Sequence, residues 1–235
     1  MSKADFYEQV GVAMTCRSYG EYEKMFLLED DFLKKSKILD VAAGASSFIA
    51  EANERGYDAV AVDPLYHLTV EQMTLHGQKE MKEATEKLAK NISFLSWDSY
   101  KSLEEHDKIR GESFKLFLNH YKEHSIEKRF ITGTLPNLPF DDETFSLVLC
   151  NHFLFLYQEQ FDLEFHLQAI REMIRVTKKG GMIRIYPLVG FKNERYPYLD
   201  ELVEAVNDEN IVVKITDTTF RFVPAATELL TINKL

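Results

Sequence analysis

The chain reads as one α/β domain: a mostly parallel sheet with helices on both faces, an antiparallel C-terminal strand, and a helical insertion after the second strand. Three stretches carry this expectation. Residues 37–64 run as apolar segment, small-residue turn, short helix and second apolar segment, the pattern of a βαβ unit with its right-handed crossover. The same rhythm returns over 128–188. Two β-rich segments, IVVKITDTTFRFV and ELLTINK, then close the chain and suit an antiparallel edge.

The elements follow in order. Ser18 and Glu21 have capping-box spacing, and Tyr22, Met25 and Phe26 share one face, so a helix starts near Ser18 within an N-terminal helical segment, 1–36. KILDVAAG (37–44) is a strand and its turn, SSFIAEANERG a helix stopped at Gly56, and YDAVAVDP (57–64) a strand closed by Asp63-Pro64. Residues 65–128 are charged and helix-like. Met73, Met81, Ala84 and Leu88 form one stripe, and Phe114, Phe117 and Tyr121 another, as in helices with one buried face. A structureless loop of that length is foreign to a compact domain. KRFIT (128–132) and TFSLVLC (144–150) resume the sheet. Leu163, Leu167, Ile170 and Ile174 set a helix that runs to Gly180-Gly181, where glycine stops it. MIRIYPL (182–188) is a strand, and Pro197 opens a helix with Leu199, Leu202, Val203 and Val206 on one face. No linker or repeat divides residues 1–235, which are expected to form a single domain.

Composition narrows the function classes. The formal charge of -10, from 28 Lys and Arg against 38 Asp and Glu, argues against a broad nucleic-acid surface, which needs clustered cations. The two cysteines, Cys16 and Cys150, lack metal-ligand spacing and suit a reducing compartment. MSKADFYEQ is too polar for a signal peptide. The apolar stretch FSLVLCNHFLFLY is broken by Asn151 and His152 and is short for a membrane span. A soluble, cytoplasmic protein without a membrane partner is expected.

In open α/β sheets a ligand sits beyond the carboxyl ends of the strands. Those ends are Asp40 to Ser47, Asp63, Gly133 to Leu135, and Asn151-His152. From Ala42 to Ser47 every side chain is small. Small residues let backbone N–H groups approach a ligand, though they equally allow tight strand–helix packing. Asp63 can accept both hydroxyls of a ribose or simply form the turn before Pro64.

At these residues the sequence resembles the class I S-adenosylmethionine-dependent methyltransferases. ILDVAAGASSF is similar to their first motif and AVDP to their acidic second-strand motif. GTLPNLPFDDETFSLVLCNHFLFLY resembles the run from the adenine loop into the fourth strand, and REMIRVTKKGGMIRIYPL the helix and fifth strand after it. The resemblance implies a Rossmann-like fold, S-adenosylmethionine as cofactor, S-adenosylhomocysteine as product and an unidentified acceptor, expected to be a small molecule. It implies that Asp40 and the backbone of Ala42, Ala43, Gly44 and Ser46 hold the methionine end. Asp63 would bind the ribose, and Pro64 and Leu65 would flank the adenine. Gly133, Thr134 and Leu135 would line the adenine edge, and Asn151 and His152 would lie near the sulfonium. Ala42 and Ser46 stand where the family commonly has glycine, and Thr134 where it often has Asp.

Other residues are weighed singly. His152 is the candidate general base, or else a histidine that positions its loop or contacts the cofactor. Arg17 could meet the cofactor carboxylate through a charge-assisted bond or be a surface residue. Tyr66 could stack near the adenine or pack. The insertion 65–128 is either a cap that binds the acceptor, removable without loss of cofactor binding, or a structural or oligomeric element. HYKEH, with His120 and His124, matches a short zinc pattern, but no third ligand is evident and a solvated helix face is preferred, so no metal is expected. CNHF does not resemble the Asn-Pro-Pro-Tyr motif of amino-directed nucleic-acid methylation. Two other classes stay open: a catalytically silent binding or regulatory module on the same fold, and an NAD-dependent oxidoreductase. The latter is expected to show G-x-G-x-x-G, where this chain has Ala42, Gly44 and Ser47.

Overall fold

The structure is a computed structural model that describes residues 11–124 and 129–235. Its sheet is built from strands whose alternate residues meet a hydrophobic layer on either side. In the first strand, β1 (Lys37–Val41), Ile38 enters one core and Leu39 and Val41 the other, as the period of two requires. β2 (Asp58–Asp63) and β3 (Phe130–Thr132) extend the sheet in parallel on one side of β1. β4 (Phe145–Asn151) and β5 (Thr177–Tyr186) extend it in parallel on the other. The C-terminal strand β7 (Glu228–Lys234) runs antiparallel to β5, and β6 (Ile211–Asp217) pairs antiparallel with β7 at the edge. The order is β3-β2-β1-β4-β5-β7-β6. It reverses between β1 and β4, which places the ligand crevice beyond their carboxyl ends.

Helices cover both faces. α1 (Tyr19–Phe26) starts at the capping box that Ser18 and Glu21 foretell, and buries Tyr22, Met25 and Phe26. It packs with α2 (Asp30–Leu33) and α3 (Phe48–Glu54) in an aromatic-rich core, where Tyr22 stacks on Phe48 at 4.5 Å. The other face is more aliphatic. There α6 (Leu163–Val176) and α7 (Leu199–Val206), the latter burying Leu199, Leu202 and Val206, cover Leu39, Val41, Val148 and Ile183.

The insertion is two long helices, here α4 (Val70–Lys90) and α5 (Leu103–His124). Thr69 and Gln72 cap α4, and Gly77 lets the pair close: a Cβ there would meet the Phe114 ring at 2.2 Å. Met73, Phe114, Phe117 and Tyr121 are buried as expected, whereas Met81 and Ala84 are half-buried. The buried set belongs to one core with Phe48 and Ile49 of α3. The insertion therefore shares a core with the helices that cover the sheet. Truncating Phe117, fully buried, would cost roughly 3–5 kcal/mol.

Two boundaries differ from expectation. α6 ends at Val176 instead of Gly180, because Thr177 is already extended and its hydroxyl donates to the Met173 carbonyl; β5 takes over from there. β6 stops at Asp217, since Thr218 turns inward to donate to the Lys24 carbonyl and carries Phe220 and Phe222 into the core. In the segment 128–132, Lys128 lies outside the described residues. Among the described residues no helix is long and apolar enough to cross a membrane.

Candidate functional site

The turn after β1 folds back on itself through left-handed backbone at Ala42, φ 54°, and Gly44, φ 58°. Alanine is strained there by about 1–2 kcal/mol. The Gly44 N–H donates to Asp63 Oδ2 at 3.0 Å, and the Leu65 N–H to Oδ1 at 2.9 Å. Asp63 thus forms the turn and also faces the crevice. Each carboxylate oxygen retains a lone pair. Burial raises its pKa above the ordinary value, against the pull of the two N–H groups.

The small side chains of this turn serve the protein's own N-terminal segment. Ala45 N–H donates to the Thr15 carbonyl, and Ser47 N–H, Ser46 Oγ and Ser113 Oγ all donate to the Arg17 carbonyl. A Cβ on Gly44 would stand 3.0 Å from the Thr15 carbonyl oxygen. Residues 12–17 therefore lie as a strap across the turn. After β3, Gly133 passes so close to Pro139 and Val62 that a Cβ would stand 2.7 and 2.8 Å from their side chains.

At the end of β4 the chain turns at His152, φ 47°, a conformation that histidine tolerates better than most residues. Its Nδ1 lies 2.5 Å from Asn151 Oδ1. A carbonyl oxygen only accepts, so the proton is assigned to Nδ1 and Nε2 carries a lone pair. Burial, with the nearby Arg17 charge, holds the imidazole well below its ordinary pKa.

These loops meet in a cavity of roughly 270 Å³. Ala42, Gly44, Asp63, Pro64, Leu65, Gly133, Thr134, Leu135 and His152 all line it. Asp40, Ala43, Ser46 and Asn151 do not; they lie buried beneath its wall. Asp40 accepts from the Tyr22 hydroxyl at 2.9 Å, and burial, aided by Asp63, pushes its carboxyl well above the usual range. Ser46 is taken by the Arg17 carbonyl and the Phe48 N–H. Tyr66 packs against Phe117 and Phe130, and its hydroxyl donates to the Gly44 carbonyl.

Arg17 is neither at the surface nor in this cavity. It donates to Glu21 at 2.8 Å and to the Tyr100 hydroxyl at 2.6 Å, and lies by the rings of Phe220 and Phe222. It lines a second, smaller cavity of about 90 Å³ with Cys16, His106, Arg110, Leu156 and Phe222. Ala13, Met14, Thr15 and His152 belong to the walls of both.

Sequence reasoning missed Val12 to Thr15, His76, Leu138, Phe153, Phe161 and Phe165 of the larger cavity. Phe161 and Phe165, stacked at 4.2 Å, have helical spacing that could have drawn notice. His106 and Arg110 continue the Phe114–Phe117–Tyr121 stripe one and two turns backward, a visible sign of charge on a buried face. In HYKEH, His120 packs on Phe130 beside Asn53, while the His124 side chain lies outside the described residues. Among the described residues no three His, Cys, Asp or Glu gather as metal ligands.

A family model described as a methyltransferase domain matches residues 109–185. The uncharacterized protein MJ0045 of Methanocaldococcus jannaschii is 32% identical over 221 residues, covering 93% of this chain and 94% of that one. Among solved structures, the Burkholderia thailandensis 1,6-didemethyltoxoflavin-N1-methyltransferase, with bound 1,6-didemethyltoxoflavin and S-adenosylhomocysteine, aligns over 91% of this chain and 77% of its own, with 13% identity and a TM-score of 0.50. The PH0226 protein of Pyrococcus horikoshii aligns over 92% and 90%, with 17% identity and a TM-score of 0.46. The chain therefore shares a family with MJ0045, and the methyltransferase-domain match together with the observed strand order gives it the class I S-adenosylmethionine-dependent methyltransferase fold.

Proposed function

We propose that the protein transfers the methyl group of S-adenosylmethionine to a small-molecule acceptor and releases S-adenosylhomocysteine. The observation that carries this reading is the junction of the two cavities at Ala13–Thr15 and His152. A cavity with a carboxylate for a sugar adjoins a smaller, mainly apolar one, which is what in-line transfer between two bound molecules requires. The residues present fit the cofactor. Asp63 has lone pairs left for ribose hydroxyls, and Leu65, Pro64 and Gly133–Leu135 offer a flat, largely apolar wall for the base.

When bound, S-adenosylmethionine supplies a methyl group on a positively charged sulfur. The chain aligns the acceptor, excludes water and, for an acceptor that carries a proton, takes that proton on His152 Nε2. Burial leaves this nitrogen unprotonated and also weakens it as a base, so the proton it takes must be an acidic one on the acceptor. The test is calorimetry with the cofactor and its demethylated product. Both are expected to bind one to one; binding of neither would favour a silent module on the methyltransferase fold.

A further inference from the structure

The inward face of α5 changes character along its length. Phe117 and Phe114 give way to Ser113, then Arg110, then His106. Arg110 is 7% exposed and lines the smaller cavity. Burying a guanidinium is expensive unless it is paired and hydrogen-bonded. Arg17, the other cation of this cavity, is satisfied by Glu21 and Tyr100. Arg110 is not: no hydrogen bond reaches it among the described residues. Its carboxylate neighbour, Asp107, stands 4.0 Å away, is 29% exposed and is shared with His106 Nδ1 at 3.1 Å. Glu80, on the facing helix, is engaged by the Met14 N–H at 3.3 Å. The remaining lining is apolar or aromatic, with Leu88, Leu95, Phe191 and Phe222.

We propose that the smaller cavity is a carboxylate site, in which Arg110 grips the acid group of an acceptor whose apolar body extends toward His152. An Arg–carboxylate pair can form two parallel hydrogen bonds, and the apolar walls strengthen it by excluding water. A cavity of about 90 Å³ is smaller than the ~150 Å³ that holds benzene, so it takes the acid head and leaves the body at the junction. The carboxylate is thus the handle and not the methylated group; the atom that receives the methyl lies at the other end, beside His152. His106 reports the same field, since burial and then the Arg17 and Arg110 charges press its pKa down to about 2.

The identification of this ligand as the acceptor rests on the methyl-transfer reading; the carboxylate site does not. Benzoate and its neutral isostere benzamide are the probes, titrated by calorimetry and ligand-observed NMR with and without saturating S-adenosylhomocysteine. Benzoate is expected to bind at least tenfold more tightly than benzamide, and Arg110→Gln to abolish that preference while S-adenosylhomocysteine affinity stays within about threefold. A crystal structure with benzoate should show its carboxylate within hydrogen-bond distance of Arg110, which decides the matter even if the variant fails to fold. Equal binding of the two probes, an unchanged preference in Arg110→Gln, no benzoate binding, or benzoate placed away from Arg110 would each overturn the site. Loss of S-adenosylhomocysteine binding in the wild type, with the benzoate preference intact, would instead remove the methyl-transfer reading and leave an anion site.

Discussion

The two cavities share His152 and the strap residues Ala13 to Thr15, yet they are built differently. The larger is walled mainly by the loops that follow β1, β2, β3 and β4, so its shape comes from the sheet's own topology. The smaller is walled by side chains from segments far apart in the chain: the strap, α4, α5, the loop after β4 and the loop before β7. One is a property of the fold; the other belongs to this particular sequence. The contrast explains how a common cofactor can be read from strand ends while an acceptor cannot.

Substitutions break or sharpen this contrast in graded steps. The largest effect is expected at Gly44, where a new side chain would press on the Thr15 backbone in a conformation that L residues rarely adopt. Gly44→Val should dislodge the strap, lower stability and abolish S-adenosylhomocysteine binding; normal calorimetric binding would mean the turn is not part of that wall. His152 lies on the boundary. His152→Gln should reduce turnover by roughly 10²–10⁴-fold, the usual worth of a general base, and leave product affinity within a few-fold. Undiminished turnover would restrict the histidine to shaping its loop. Asp63→Ala tests the larger cavity alone, with S-adenosylmethionine binding expected to weaken by roughly tenfold or more from the loss of hydrogen bonds to a charged acceptor. Unchanged affinity would take Asp63 out of the sugar site.

Beneath the wall the effects shift from binding to stability. Asp40 has a pKa raised by burial and by Asp63, so the folded state holds its proton more tightly than the unfolded chain does. Its contribution is present below the ordinary carboxylate value and is lost as pH rises through the raised one. Asp40→Asn should therefore gain on the wild type in urea midpoint as pH increases from 4 to 8, and a constant difference would show that Asp40 does not titrate in this way. The smallest effect is at Ala42. Replacement by glycine relieves the left-handed strain but loosens the unfolded chain, for a net gain of about 0.5–1 kcal/mol; a loss of stability would indicate that the methyl group packs usefully.

Legibility in the sequence followed the same division. The βαβ unit, the capping box at Ser18 and the resumed strands were plain because each is a local pattern of apolar period or turn chemistry. Asp63, Gly44 and the Gly133–Leu135 loop were plain because strand ends point one way. Asp40 and Ser46 carry the right motif, but which face of β1 an acid points to, and whether a serine meets ligand or strap, depends on residues 14–22 packing over them. Arg17 illustrates the limit: its partner Tyr100 is 83 residues away, a pairing no local pattern announces. Arg110 was hidden for a different reason, since a charged residue in a charged helix looks solvated until its stripe is traced back from Phe114.

The most direct measurement is a crystal structure with S-adenosylhomocysteine. The ribose is expected against Asp63, the base between Leu65 and Leu135, and the sulfur at the junction facing His152 and the smaller cavity. A product molecule bound elsewhere, or one whose sulfur points away from His152, would contradict the proposal that the two cavities form a single site for methyl transfer.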